Sequence, residues 1–323
     1  MRARALTFGV SCAALLVVFA EGLGRWHEHL EFPVDGRGYA TIPGAYGTNG
    51  GGFLERDLPA RRDPGVRRVA VLGDSMTYGT GGAADTFTRH AEAALGAPES
   101  GVPWQILNFS QYGYDAGQSA ATLRHRVWDY QPDLVVYASY SNDVVPTRVI
   151  YTGEPPMPQS VSARRELFPL WMRRRSSVVR RVEGAFLVRR VEPTPDYAFF
   201  RSAVDDMRAQ ARAHGVPLLV FQQVPHVSAG LDRGACHEAC REQLAIAGEQ
   251  EALLDALGVE HASALPYLRG AGVNGFPSAN TADWEHPSPA GHVVIGRALA
   301  DVLRRRESGA ALPRMGDAPV VTP

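Results

Sequence analysis

The chain has 323 residues, 45% of them hydrophobic, and a formal net charge of −1. That length supports one large domain or two small ones with a well-buried core, and the even charge balance argues against nucleic acid as the main partner. Every basic residue is an arginine, which excludes Schiff-base catalysis and a phosphate-binding P-loop lysine.

Met1-Arg2-Ala3-Arg4 precedes a mostly apolar run from Ala5 to Ala20, closed by Glu21. Arginines ahead of such a run orient its start toward the cytoplasm. The run is short for a spanning helix and also suits a signal-peptide core, with Val18-Phe19-Ala20 as a cleavage site. Three readings stand: an uncleaved anchor, a cleaved signal, and a buried soluble helix. Either of the first two makes residues 1–21 an N-terminal membrane anchor or signal peptide. The rest of the chain is then in the cell envelope, on the periplasmic side, and associated with the inner membrane if the anchor is kept. Lipidation at Cys12 fits poorly, because most of the apolar run follows it.

Residues 22–65 are rich in Gly, Pro and Arg with little periodicity, a lead-in to the domain. A strand-helix alternation then begins. Strands are expected at Arg68–Leu72, Gln105–Phe109, Asp133–Tyr140 and Pro217–Gln222. Helices are expected at Asp85–Leu95, Gly117–Tyr130, Tyr197–His214, Glu238–Leu257 and Pro289–Arg306. This alternation predicts an α/β fold: a three-layer α/β/α flavodoxin-like sandwich with a parallel central sheet, over residues 66–307. Residues 308–323 are expected to be a disordered tail.

Residues 146–195 interrupt the alternation. From Arg148 to Arg201 there are eleven arginines against five acids. The insertion is either a solvated basic face or a lid that meets anionic lipid or glycan. Cys236 and Cys240 form a local disulfide or remain two thiols; a metal site with His237 lacks further ligands.

Two motifs carry chemistry. Val69-Ala70-Val71-Leu72-Gly73-Asp74-Ser75 puts a serine just past a buried strand, where an open α/β sheet binds ligands. Asp283-Trp284-Glu285-His286-Pro287 offers an acid and a base three residues apart. Thr77 stands where a Gly-x-Ser-x-Gly elbow would have glycine, which argues against an ordinary α/β-hydrolase. Ser288 as N-cap with Pro289 at the first helical position starts the last helix. The positive end of that helix, next to His286, disfavours an imidazolium and favours a neutral base. His292 falls inside the same helix and reads as structural. Gly113, in Asn108-Phe109-Ser110-Gln111-Tyr112-Gly113, and Asn142, in Tyr140-Ser141-Asn142-Asp143, each follow a strand and are candidate oxyanion donors.

In order and content these four segments resemble the blocks of the SGNH/GDSL hydrolase superfamily. The resemblance spans residues 66–306. Asn49-Gly50 and Phe53-Leu54-Glu55-Arg56 in the lead-in look like those of membrane-anchored bacterial members. One departure is Tyr140, at the glycine of the family's Gly-x-Asn-Asp block. The resemblance implies a Ser75, Asp283, His286 triad, with the Ser75 and Gly113 N–H groups and the Asn142 amide as oxyanion hole. It implies an acyl-enzyme and no metal or organic cofactor. The partner would be an ester-bearing small molecule, a lipid or an acylated glycan. Hydrolysis of acyl or acetyl esters is the first expectation. An O-acetyltransferase or deacetylase of exopolysaccharide using the same residues, and a catalytically silent envelope assembly protein, are the alternatives.

Overall fold

A computed structural model describes residues 2–31, 34–35, 38–39, 47–79, 82–96, 102–146, 172, 176, 178–179, 182, 194–225, 236, 238–271 and 285–321. The first helix, α1 (Arg2–Glu31), runs ten residues beyond the expected anchor segment. Leu15, Leu16, Val17, Val18 and Phe19 are all exposed on it. Among the described residues, no helix is long and apolar enough to cross a membrane.

After a short antiparallel pair, Val34–Asp35 with Gly38–Tyr39, come the five strands of the main sheet: β1 (Arg67–Gly73), β2 (Trp104–Asn108), β3 (Leu134–Ala138), β4 (Leu218–Gln222) and β5 (His261–Ser263). They form one sheet in the order β2-β1-β3-β4-β5, with every pairing parallel. That is the expected flavodoxin-like order, with its switch point between β1 and β3. Register pairs Val71 with Asn108 and Gly73 with Ala138, so the loops leaving these three strands start from one edge.

The sheet is covered on both faces, which suits strands that are apolar on both sides. Val69 and Val71 of β1 face a layer that includes Phe87, Ala91, Ile295 and Leu299. These come from α3 (Phe87–Leu95) and α8 (Pro289–Ser308). Ala70 and Leu72 face Ala120, Phe200 and Val204, from α4 (Ala116–Thr122) and α5 (Tyr197–Ala213). The long α6 (Glu238–Leu257) gives Ala247 to the first layer and Leu254 to the second. Burying each large apolar side chain in these layers contributes about 1.5–3 kcal/mol.

Two features depart from the sequence reading. β5 and the helix α7 (Leu265–Ala271) fall in a stretch where no element was expected. Three residues are too few to show a period, and β5 exists through its pairing with β4. The C-terminal tail is packed, which corrects the expected disorder. Ser263 donates its N–H to the Pro313 carbonyl, and Val320 donates its N–H to the Pro266 carbonyl. Leu312, Met315 and Val320 pack against the core. Few apolar residues suffice to hold a tail when its backbone finds partners at a sheet edge. Of the two states expected for Cys236 and Cys240, the structure has the disulfide, with Cα atoms 5.4 Å apart.

Candidate active site

Ser75 is the first residue of a four-residue helix, α2 (Ser75–Tyr78), directly after β1. The Asp74 side chain caps this helix, its Oδ1 accepting from the Met76 N–H at 2.9 Å. The turn needs glycine at 73. A Cβ there would lie 2.3 Å from Thr77 Oγ1 and 3.0 Å from the Ala138 carbonyl oxygen. Thr77 is therefore no obstacle to the turn. It fills the space that Gly73 leaves and accepts a hydrogen bond from Gln223 Nε2 at 2.7 Å.

His286 lies just before α8, whose N-cap Ser288 accepts from the Gly291 N–H at 3.2 Å, with Pro289 as first residue. Its Nε2 is 2.9 Å from Ser75 Oγ, across 211 residues of sequence. Two of the three predicted triad residues are thus in hydrogen-bonding contact. Asp283, the third, lies outside the described residues, as does most of the 146–195 insertion.

Asn142 follows β3 in a short turn of helix, Ser141–Val144, and is solvent-exposed. Its Nδ2 donates to Asp74 Oδ2 at 2.7 Å, which aims the amide toward the Ser75 segment. Gly113 sits in the loop after β2 with φ +70°, a left-handed conformation that favours glycine. That loop is tied to both ends of the nucleophile segment. Gln111 donates its N–H to the Gly73 carbonyl at 3.3 Å, and the Tyr112 hydroxyl donates to the Gly79 carbonyl at 3.0 Å. The structure therefore gathers Ser75, His286, Asn142 and the Gly113 loop at the carboxyl edge of the sheet.

Tyr140 does not disturb this arrangement. Its backbone is extended, with φ −135°, so no glycine is required there. Its ring is buried, and its N–H donates to Asp143 Oδ2 at 2.8 Å. The lead-in also supports the site from below. Glu55 accepts from the Asn108 N–H at 3.0 Å, and Phe53 packs edge-on to Phe109 at 5.2 Å.

Burial sets the electrostatics. Asp74 is pushed up to about 6 by burial, against the lowering effect of its bonds to Asn142 and Met76. Asp143 is raised well above the usual carboxylate range by burial and then by the Asp74 charge. Glu55 is pushed up to about 7, mainly by burial. His292, buried in α8, is lowered to about 4 by burial and by the nearby His90 and His286.

Sequence reasoning missed Gln223 and Gln243, both of which brace the site. Their contacts cross between segments far apart in the chain, and no spacing rule exposes such pairs.

No protein-family model and no curated protein matches the chain. Solved structures similar to it include a lipase/acylhydrolase from Enterococcus faecalis, at 15% identity and TM-score 0.46, covering 75% of this chain and 97% of that one. A GDSL-like lipase from Bacteroides thetaiotaomicron is 14% identical with TM-score 0.43, covering 77% of this chain and 93% of that one. A carbohydrate acetylesterase family member from Sinorhizobium meliloti is 15% identical with TM-score 0.42, covering 76% and 100%.

Proposed function

We propose that the chain is a serine esterase of the SGNH/GDSL type, hydrolysing acyl or acetyl esters of lipid or glycan. The observation that carries this reading is the 2.9 Å contact between His286 Nε2 and Ser75 Oγ at the carboxyl edge of a parallel sheet. With the imidazole neutral and protonated on Nδ1, the Ser75 hydroxyl donates to Nε2. As Ser75 Oγ attacks the ester carbonyl, His286 takes its proton. In the triad role assigned from sequence, Asp283 steadies the resulting imidazolium. The Asn142 amide has a second N–H beyond the one held by Asp74, and it serves the oxyanion with the backbone N–H groups of Ser75 and Gly113. Collapse of the intermediate expels the alcohol, which takes the proton from His286. Water then attacks the acyl-enzyme by the same route, releasing the acid and restoring Ser75.

The site is further proposed to work at a lipid surface of the cell envelope. Supporting this are the five successive apolar residues Leu15 to Phe19, each at least 60% exposed on α1, and the arginines ahead of them in sequence.

The full chain in detergent, assayed on p-nitrophenyl acetate and longer acyl esters beside Ser75→Ala, tests the chemistry. Hydrolysis that drops by at least ~10³-fold in Ser75→Ala supports it, and activity surviving that change sinks it. A C-terminal alkaline phosphatase fusion tests the location: an inactive fusion rejects the envelope assignment.

A further inference from the structure

One side chain outside the four blocks joins the third to the fourth. Gln243 lies in the second turn of α6, and its amide is held on both sides. Its Nε2 donates to Glu285 Oε1 at 2.6 Å. Its Oε1 accepts from the Ser141 hydroxyl at 2.9 Å and from the Tyr140 hydroxyl. Glu285 immediately precedes His286, and Ser141 immediately precedes Asn142. The amide therefore spans from the base's neighbour to the oxyanion donor's neighbour. One helical face carries this grip, because Gln250, seven residues on, is buried and donates to the Tyr140 carbonyl at 2.9 Å.

We propose that Gln243 is a positioning residue that sets His286 and Asn142 in register with each other across Ser75. The proposal rests on the esterase reading above. Its chemistry is specific to an amide. The Glu285 carboxylate requires a donor, and the two hydroxyls can donate only to an acceptor, so one group must offer both. Glutamate at 243 would set two carboxylates against each other, and methionine would remove the bonds on both sides. Tyr140, the departure from the family's glycine, then has a role: its long side chain carries the third block to α6.

The test compares Gln243→Glu, Gln243→Met, Tyr140→Phe and the exchange Gln243→Glu with Glu285→Gln, all in the full chain with p-nitrophenyl acetate as substrate. Gln243→Glu is expected to lower kcat by about 10–100-fold at pH 8, with KM within about threefold, because the geometry of reacting groups and not uniform binding is lost. The exchange is expected to recover at least about tenfold of the loss, since the donor and acceptor are only swapped. A merely structural glutamine would show neither a kcat loss at steady KM nor its recovery in the exchange. In parallel, ring-labelled histidine NMR follows the His286 signal, assigned through His286→Gln. That signal should move in Gln243→Met while those of His125 and His214 stay in place.

If the wild type hydrolyses esters and the variants keep its kcat, the positioning role is overturned and the esterase reading stands. If the wild type hydrolyses no ester, the esterase reading fails and the His286 signal decides the link. An exchange no better than the single variants, or an unmoved His286 signal in Gln243→Met, overturns the proposal. Should Gln243→Met fail to fold, Tyr140→Phe, which removes one donor to the amide, carries the same NMR comparison.

Discussion

Asn142 Nδ2 donates to Asp74 Oδ2 at 2.7 Å, so the residue before Ser75 orients an amide from the neighbouring strand's loop. The same carboxylate caps the short helix that Ser75 begins, through Met76. Asp74 thereby links the Ser75 segment and the Asn142 amide by one buried group, at the switch point between β1 and β3.

Removing the amide tests its role. Asn142→Ala is expected to lower kcat on p-nitrophenyl acetate by about 10²–10³-fold with a small change in KM. Equal kcat in the variant would remove Asn142 from the oxyanion hole.

The buried acids make stability depend on pH in a definite direction. The unfolded chain releases the Asp74 and Asp143 protons near pH 4, while the folded chain holds that of Asp74 to about 6 and that of Asp143 higher. The folded state binds more protons across that window, so the contribution of these groups to stability falls as pH rises through it. Asp143→Asn mimics the protonated form and keeps an acceptor for the Tyr140 N–H. Urea denaturation from pH 4 to pH 8 should show a smaller decline in the variant than in the wild type.

His292 acts with the opposite sign. Both ring nitrogens are buried without a hydrogen-bond partner among the described residues, and its folded value of about 4 lies below the ordinary 6.5. Between these values the unfolded chain binds the proton and the folded chain does not, so stability is lost as pH falls through the window. His292→Leu should be neutral or stabilising at pH 7 and should gain on the wild type by about 1–3 kcal/mol toward pH 4 in the same assay.

Gly73→Ala places a methyl against Thr77 Oγ1 and the Ala138 carbonyl oxygen. It should destabilise the fold by about 1–3 kcal/mol. Adding Thr77→Ala should recover part of that loss, since the Ala138 carbonyl remains in the way. Full stability of Gly73→Ala would show that the turn opens elsewhere.

The sequence alone determined the layers and the edge. Fully apolar strands such as Val69–Leu72 can only be buried on both faces, and alternation with helices makes the sheet parallel. The Ser288-Pro289 helix start and Gly73-Asp74-Ser75 were legible because caps and tight turns are local. Tertiary structure decided what those local signals cannot carry. The 2.9 Å Ser75–His286 contact, the Asp74–Asn142 bond and the Gln243–Glu285 bond join residues 42 to 211 positions apart. Such pairs form only when strand order and helix packing place their elements side by side. The packed tail and the three-residue β5 escaped for the same reason: their order comes from partners, not from any period of their own.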